Sequence, residues 1–178
     1  IKERRILKDQ DKPTSFLAIK AAQDLISKHD INAKSIDLVI VATITPDMFV
    51  AATAAYVASS IGAHNAFAYD LNAACSGFLY GMSTSAAYIT SGRSKKVLLI
   101  GADKMSSIVD YTDRTTCIIF GDGADLRFLP TTLATFAIAI STVKVSFCSF
   151  LVFVSRTAVS VGKSNNASPC NFQISSTE

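Results

Sequence analysis

Charge is scarce in this 178-residue chain. Asp, Glu, Lys and Arg make up 17% of it, and the net charge is only +3. No stripe of lysine and arginine with interleaved aromatic residues occurs, which argues against a nucleic-acid partner. Cysteine and histidine are also few, four and two. The cysteines, at 75, 117, 148 and 170, are irregularly spaced and form no CxxC pair. Neither a zinc site nor a disulfide framework is therefore expected, and reduced thiols in a cytoplasmic setting are the expectation. The opening Ile1-Lys2-Glu3-Arg4-Arg5 is followed by no apolar core such as a secretory signal requires. It also lacks an initiator methionine, so the chain is expected to begin inside a longer protein.

What is abundant is apolar residue. Hydrophobic types make up 49% and mean hydropathy is +0.35, too apolar for a disordered chain and enough for one domain with a sizeable core. The composition changes near Asp125. Residues 1–125 hold 13 of the 17 basic residues, 13 of the 14 acidic ones and seven of the eight glycines. Residues 126–178 hold four basic residues, one acid and 15 Ser or Thr. The expected organisation is a folded unit over 1–125 and an unrelated tail over 126–178, first apolar and then Ser/Asn-rich, such as a shifted reading frame or a splicing error would add.

Before the break, helix and strand patterns alternate. A helix is predicted from 14 to about 28, started by Thr14-Ser15, with Phe16, Ile19, Ala22 and Ile26 on one face. The short apolar run 37–43 fits a strand buried on both faces. After the turn Thr45-Pro46-Asp47 comes a helix from about Thr53 that Gly62 can end. A second strand is predicted over 66–71, a helix from about Cys75 to Ser91 ended by Gly92, a third strand over 96–102 and a fourth over 116–120. Strands separated by such helices imply βαβ units and a mainly parallel sheet.

After the break, residues 133–154 form an apolar stretch that invites a membrane reading. Its 12 Leu, Ile, Val and Phe residues favour insertion by about 4 to 7 kcal/mol in all. Central Lys144 opposes it by about 3 kcal/mol and five Ser or Thr residues subtract more. The balance is near zero, so a β-prone apolar stretch is preferred to a span. The end, 162–178, reads as disordered.

The informative segment is Asp70-Leu71-Asn72-Ala73-Ala74-Cys75-Ser76-Gly77-Phe78. A buried strand ends, a turn follows, and a cysteine stands where the next helix begins. Free N–H groups and the macrodipole there favour an anion by at most about 2 kcal/mol, which promotes a thiolate. The same N–H groups could hold the oxyanion of a thioester under attack. The helix itself pairs an apolar face (Phe78, Leu79, Met82, Ala86, Ile89) with a small-residue stripe (Gly77, Gly81, Ser85) that lets another backbone approach. The plain alternative is that Cys75 is a small packed core residue.

That segment resembles the nucleophile motif of the β-ketoacyl-acyl-carrier-protein synthase III family. Gly62-Ala63, Val97-Leu98-Leu99-Ile100-Gly101-Ala102-Asp103, Asp110-Tyr111-Thr112-Asp113-Arg114 and Ile119-Phe120-Gly121-Asp122-Gly123-Ala124 agree with it in the same order, so the resemblance covers residues 1 to about 124. It implies an α/β, thiolase-like layered αβαβα fold, here mainly the first βαβαβ half, and a homodimer in the full-length family. It implies that an acyl-CoA, as a substrate and with no cofactor, acylates Cys75, and that malonyl-acyl-carrier-protein is the second substrate. Arg114 matches a position that holds coenzyme A at a tunnel mouth. Met48-Phe49-Val50 matches the loop that lines the acyl pocket across the dimer interface, although Ala51 stands where the family usually has proline. Gly121-Asp122-Gly123 reads as a tight turn.

The resemblance also implies what is missing. The family's second half supplies a histidine and an asparagine for decarboxylation, and a glycine-rich loop that completes the oxyanion hole. Neither His29 nor His64 matches that histidine; both read as surface residues. The expectation is an incomplete fragment that cannot condense. Rival readings are a polyketide-type or hydroxymethylglutaryl-CoA-type condensing enzyme, and a non-catalytic, membrane-associated domain in which Cys75 is inert.

Overall fold

All five residues of Leu38–Ala42 are buried. A strand turns alternate side chains to opposite faces, so this one needs cover on both sides. The cover is visible in the computed structural model, which describes residues 5–9 and 11–131. The chain divides into a unit Ile1–Ser141 and a second unit Thr142–Glu178, and the second lies wholly outside the described residues. The apolar run 133–154, the end 162–178, Cys148, Cys170 and residues 1–4 also fall outside them.

The elements are α1 (Thr14–Lys28), β1 (Leu38–Ala42), α2 (Thr53–Ser60), β2 (Phe67–Leu71), α3 (Gly77–Thr90), β3 (Lys96–Asp103) and β4 (Gly123–Pro130). The sheet has the order β2-β1-β3-β4. β1 pairs in parallel with β2 and β3, with Ala42 opposite both Leu71 and Gly101. β4 runs antiparallel to β3. The result is an α/β fold with a mixed sheet.

Side-chain alternation divides the core into two. On one face Val39, Val41, Leu98 and Ile100 pack with Ala18 and Ala22 of α1 and Ala54, Val57 and Ala58 of α2. On the other, Leu38, Ile40, Val97 and Leu99 pack with Ile89, Phe78 and Met82 of α3. Each fully buried Leu, Ile or Val contributes about 1.5 to 3 kcal/mol relative to exposure, which accounts for the unbroken apolar runs in β1 and β3.

Several expectations need adjusting. The buried face of α1 is Leu17, Ala18 and Ala22, not the Phe16/Ile26 face. Phe16 is half-buried, with the ammonium groups of Lys12 and Lys20 at 5.6 and 5.9 Å from its ring. Nor do Thr14 and Ser15 cap α1 with their own oxygens. The Ser15 N–H donates to the Asp47 carboxylate at 3.0 Å, and the Thr14 hydroxyl to the Thr45 carbonyl at 2.5 Å. Gly62 and Gly92 end α2 and α3 as expected, at φ +81° and +73°.

The fourth strand is not at 116–120. That segment is wound into consecutive turns, because Asp110 accepts from the N–H and hydroxyl of Thr112, and Asp113 from the N–H and hydroxyl of Thr115 and the hydroxyl of Thr116. Such aspartate turns compete with a strand ladder for the backbone. The strand comes later as β4, which crosses the composition break at Asp125 and reaches Pro130. Among the described residues no helix is long and apolar enough to cross a membrane.

Candidate active site

Parallel strands create a natural site. The connections after β1, β2 and β3 all leave the same end of the sheet, the carboxyl end where open α/β sheets bind ligands. Three of the singled-out segments lie there: Met48-Phe49-Val50 after β1, Cys75 after β2 and Arg114 after β3.

Cys75 sits neither in a strand nor inside α3. It is the middle residue of a single 3-10 turn, Ala74–Ser76, that leads into α3 at Gly77. The path is tight. Ala73 has φ −147° and ψ 34°, and Ala74 has φ +46°, in the left-handed region that an L side chain enters at a cost of roughly 1 to 2 kcal/mol. The Asn72 carboxamide oxygen accepts from the Ala74 N–H at 3.4 Å. Strain of this kind collects where a side chain must be held in one exposed orientation, and here the next residue is Cys75, which is exposed.

The helix start expected at Cys75 is thus displaced by two residues, and this changes which amides are free. Ser76 donates to the Ala73 carbonyl at 3.0 Å and Gly77 to the Ala74 carbonyl. Both amides are spent on the turn. The Cys75 N–H has no partner among the described residues, leaving one amide beside the sulfur, one turn ahead of a 14-residue helix. That helix begins at Gly77, two residues after Cys75.

The small-residue stripe fixes where α3 begins. Gly77, Gly81, Ser85 and Ile89 are its buried residues. A Cβ on Gly81 would lie 2.5 Å from Leu99 Cδ1, and one on Gly77 would lie 3.5 Å from the Ala42 Cβ. The helix therefore rests directly on β1 and β3. Of the apolar face, Ile89 is buried while Phe78, Leu79, Met82 and Ala86 are half-buried, and the expected stripe makes the closest approach to the sheet.

Phe49 and Val50 are fully exposed, at 104% and 99%, and Met48 is 62% exposed. Arg114 is exposed in the turns before β4. These residues share the sheet end with Cys75, and no hydrogen bond among the described residues joins them to it. His29 and His64 are exposed; His29 follows α1 and His64 follows α2. Cys117, by contrast, is buried. No cluster of three His, Cys, Asp or Glu among the described residues is arranged to hold a metal ion.

Sequence reasoning passed over the carboxylates that build this sheet end. Asp70, the last but one residue of β2, accepts from the Thr53 and Ala54 N–H groups at 2.8 and 2.7 Å. Asp103, the last residue of β3, accepts from the Thr43 hydroxyl, the Ile44 N–H and the Thr45 hydroxyl at 2.9, 2.8 and 3.3 Å. Asp122 accepts from the N–H and hydroxyl of Ser106 and from the Leu7 N–H, each at 2.7 Å. The available signal was an aspartate closing an apolar strand, where loop amides need acceptors.

Comparison with known proteins follows the same residues. A family model described as 3-oxoacyl-[acyl-carrier-protein (ACP)] synthase III matches residues 69–143. A β-ketoacyl-[acyl-carrier-protein] synthase III of Chlorobium chlorochromatii (strain CaD3) is 60% identical over 124 residues, which are 70% of this chain and 38% of that protein. The solved synthase III of Thermus thermophilus superposes with a TM-score of 0.70 at 43% identity, covering 73% of this chain and 40% of its own. That of Aquifex aeolicus VF5 gives 0.69 at 40% identity, covering 73% and 42%. The chain thus spans about 38% of the length of the curated relatives it matches. Its mixed α/β sheet is part of the thiolase-like architecture.

Proposed function

We propose that this chain, related over about 124 residues to the β-ketoacyl-[acyl-carrier-protein] synthases III, carries the acyl-accepting cysteine of a carbon–carbon bond-forming acyltransferase that initiates fatty acid synthesis. The observation that supports it best is the pose of Cys75: exposed, presented by a strained turn, ahead of α3 and at the carboxyl end of the parallel strands β1, β2 and β3.

The first step is thioester exchange. Cys75 Sγ, as thiolate, attacks the carbonyl carbon of an acyl-CoA. The bond from that carbon to the coenzyme A sulfur breaks, and the departing thiolate takes a proton from solvent. One thioester replaces another, so the step is near thermoneutral and leaves a covalent acyl-enzyme. The Cys75 N–H supplies one donor for the transient oxyanion.

In the whole protein, malonyl-acyl-carrier-protein then loses carbon dioxide. The electron pair of the broken carbon–carbon bond attacks the acyl carbon, the bond to Cys75 Sγ breaks, and 3-oxoacyl-acyl-carrier-protein leaves as the thiolate returns. Arg114 is read as a contact for coenzyme A, and Phe49 and Val50 as lining for the acyl chain. The reading carries a homodimeric whole protein in the cytoplasm, with no cofactor beyond the coenzyme A thioester. The decarboxylating histidine and asparagine have no counterpart in the chain, so the step assigned to it is acylation alone.

The test is mass spectrometry of the chain after incubation with acetyl-CoA. A gain of one acetyl group on the peptide holding Cys75, absent from Cys75→Ala, is expected. No gain at saturating acetyl-CoA, or an equal gain in Cys75→Ala, would remove the assignment.

A further inference from the structure

Residues 72–76 carry the chain from β2 to α3, and both ends of this corner rest on β1. Before it, the Leu71 carbonyl accepts from the Thr43 N–H at 3.1 Å. After it, Gly77 lies so close to β1 that a Cβ there would be 3.5 Å from the Ala42 Cβ. Between these fixed ends the backbone turns back through Ala74, at φ +46°. Backbone bonds from Ser76 to Ala73 and from Gly77 to Ala74 close the far side of the corner. Among the described residues one side chain holds the near side: the Asn72 carboxamide oxygen accepts from the Ala74 N–H at 3.4 Å.

The direction of Cys75 depends on Ala74. Rotation about the Ala74 N–Cα bond swings whatever follows, and the Cys75 amide comes first. A left-handed φ is unfavourable for alanine, so the conformation needs support from outside the residue. A carboxamide that bonds the amide two residues on supplies it, because that contact mimics a backbone turn. We propose that Asn72 is a positioning residue: it holds Ala74 at positive φ and thereby keeps the unpaired Cys75 N–H available to the oxygen of the acyl group under attack. The inference rests on the reading of Cys75 as acyl acceptor and adds to it the side chain that prepares its oxyanion donor.

Two reactions of the same sulfur separate this role from general support of the turn. Attack on acetyl-CoA puts charge on a carbonyl oxygen, which the Cys75 N–H can stabilise. Displacement of iodide from iodoacetamide develops no such oxyanion and reads the availability of the thiolate. In the full chain, Asn72→Ala should slow acylation at saturating acetyl-CoA about tenfold, with the half-saturating concentration unchanged. Alkylation of Cys75 by iodoacetamide should stay within about twofold of the native rate. In an Ala74→Gly background, where positive φ carries no Cβ penalty, Asn72→Ala should slow acylation by no more than about threefold.

Equal slowing of acylation and alkylation, acylation that is unchanged, or the same loss in both backgrounds would overturn the proposal while leaving Cys75 as acyl acceptor. A native chain that takes no acetyl group would overturn the acyl-acceptor reading, and the role of Asn72 with it. If Asn72→Ala does not fold, Asn72→Ser decides, since its hydroxyl accepts from the same amide more weakly. It should slow acylation about threefold and spare alkylation; slowing of both alike would overturn the proposal.

Discussion

Gly81→Ala probes the seat of α3, on which the position of Cys75 depends. A new Cβ would lie 2.5 Å from Leu99 Cδ1, 3.2 Å from Cδ2 and 3.4 Å from Cγ. Carbon atoms prefer about 3.5 to 4.0 Å, so something must give by about 1 Å. Leu99 is fully buried beside Leu38, Ile40 and Val97 and has little room to turn in a close-packed core. Overpacking of this kind costs about 1 to 3 kcal/mol, and replacing a mid-helix glycine returns about 0.5 to 1 kcal/mol. The expected net loss is about 1 to 2 kcal/mol, which lowers a urea midpoint by about 0.5 to 1 M. In a Leu99→Val background, itself about 1 kcal/mol less stable, the obstructing methyl is gone and Gly81→Ala should become neutral or stabilising. The two substitutions are then coupled by about 1 to 2 kcal/mol. An equal drop of the midpoint in both backgrounds, or a rise in the native one, would refute the seating of α3 on Leu99.

Other outcomes follow from the same geometry. The carboxyls of Asp110 and Asp113 are held below the usual 3.8, Asp110 by the Thr112 hydroxyl and amide and Asp113 by the hydroxyls of Thr115 and Thr116. With folded values depressed, these turns are supported above pH 3.8 and lose that support as pH falls through the folded values; the protection of the Thr112 and Thr115 amides relative to their intrinsic exchange rates should drop only there, and a drop already near pH 6 would contradict it. Tyr69 is pushed from 10.0 up to about 12, first by burial and then by the neighbouring Tyr88. Ultraviolet titration should show one late phenol that Tyr88→Phe brings down only part of the way, and its stabilising share should disappear as pH climbs from 10 toward 12. The chain by itself should yield no 3-oxoacyl product from acetyl-CoA and malonyl-acyl-carrier-protein, since both its histidines lie outside the Cys75 turn; product seen by mass spectrometry would contradict this.

The parts of the fold legible in the sequence were those set by apolar run length. β1, β2 and β3 lie within a residue of their predicted limits because burial on a sheet leaves a one-dimensional trace. Gly62 and Gly92 marked helix ends because the left-handed turn there favours glycine. The segment 116–120 misled for the opposite reason: Thr116-Cys117-Ile118-Ile119-Phe120 has strand composition, but Asp110 and Asp113 wind its start and the chain before it into turns. β4 escaped notice because its pairing partner, β3, is some twenty residues away and its own apolar pattern is broken by Asp125 and Arg127.

The candidate site shows the same division. Cys75 stood out by its wording and its place after a strand. Its displacement onto a 3-10 turn was not legible, because Ala74 gives no sign that it adopts a positive φ. Asp70 and Asp103 were visible only as motif letters. Their work is done through backbone amides from another segment, and nothing in local spacing shows which amides those are.

The most direct test is protection of the native chain from iodoacetamide at pH 7, with the alkylated peptides mapped with and without saturating acetyl-CoA. Cys75 should alkylate well before buried Cys117, and acetyl-CoA should block Cys75 alone. A Cys75 that reacts no faster than Cys117, or that acetyl-CoA leaves unprotected, would contradict its role as the acyl acceptor.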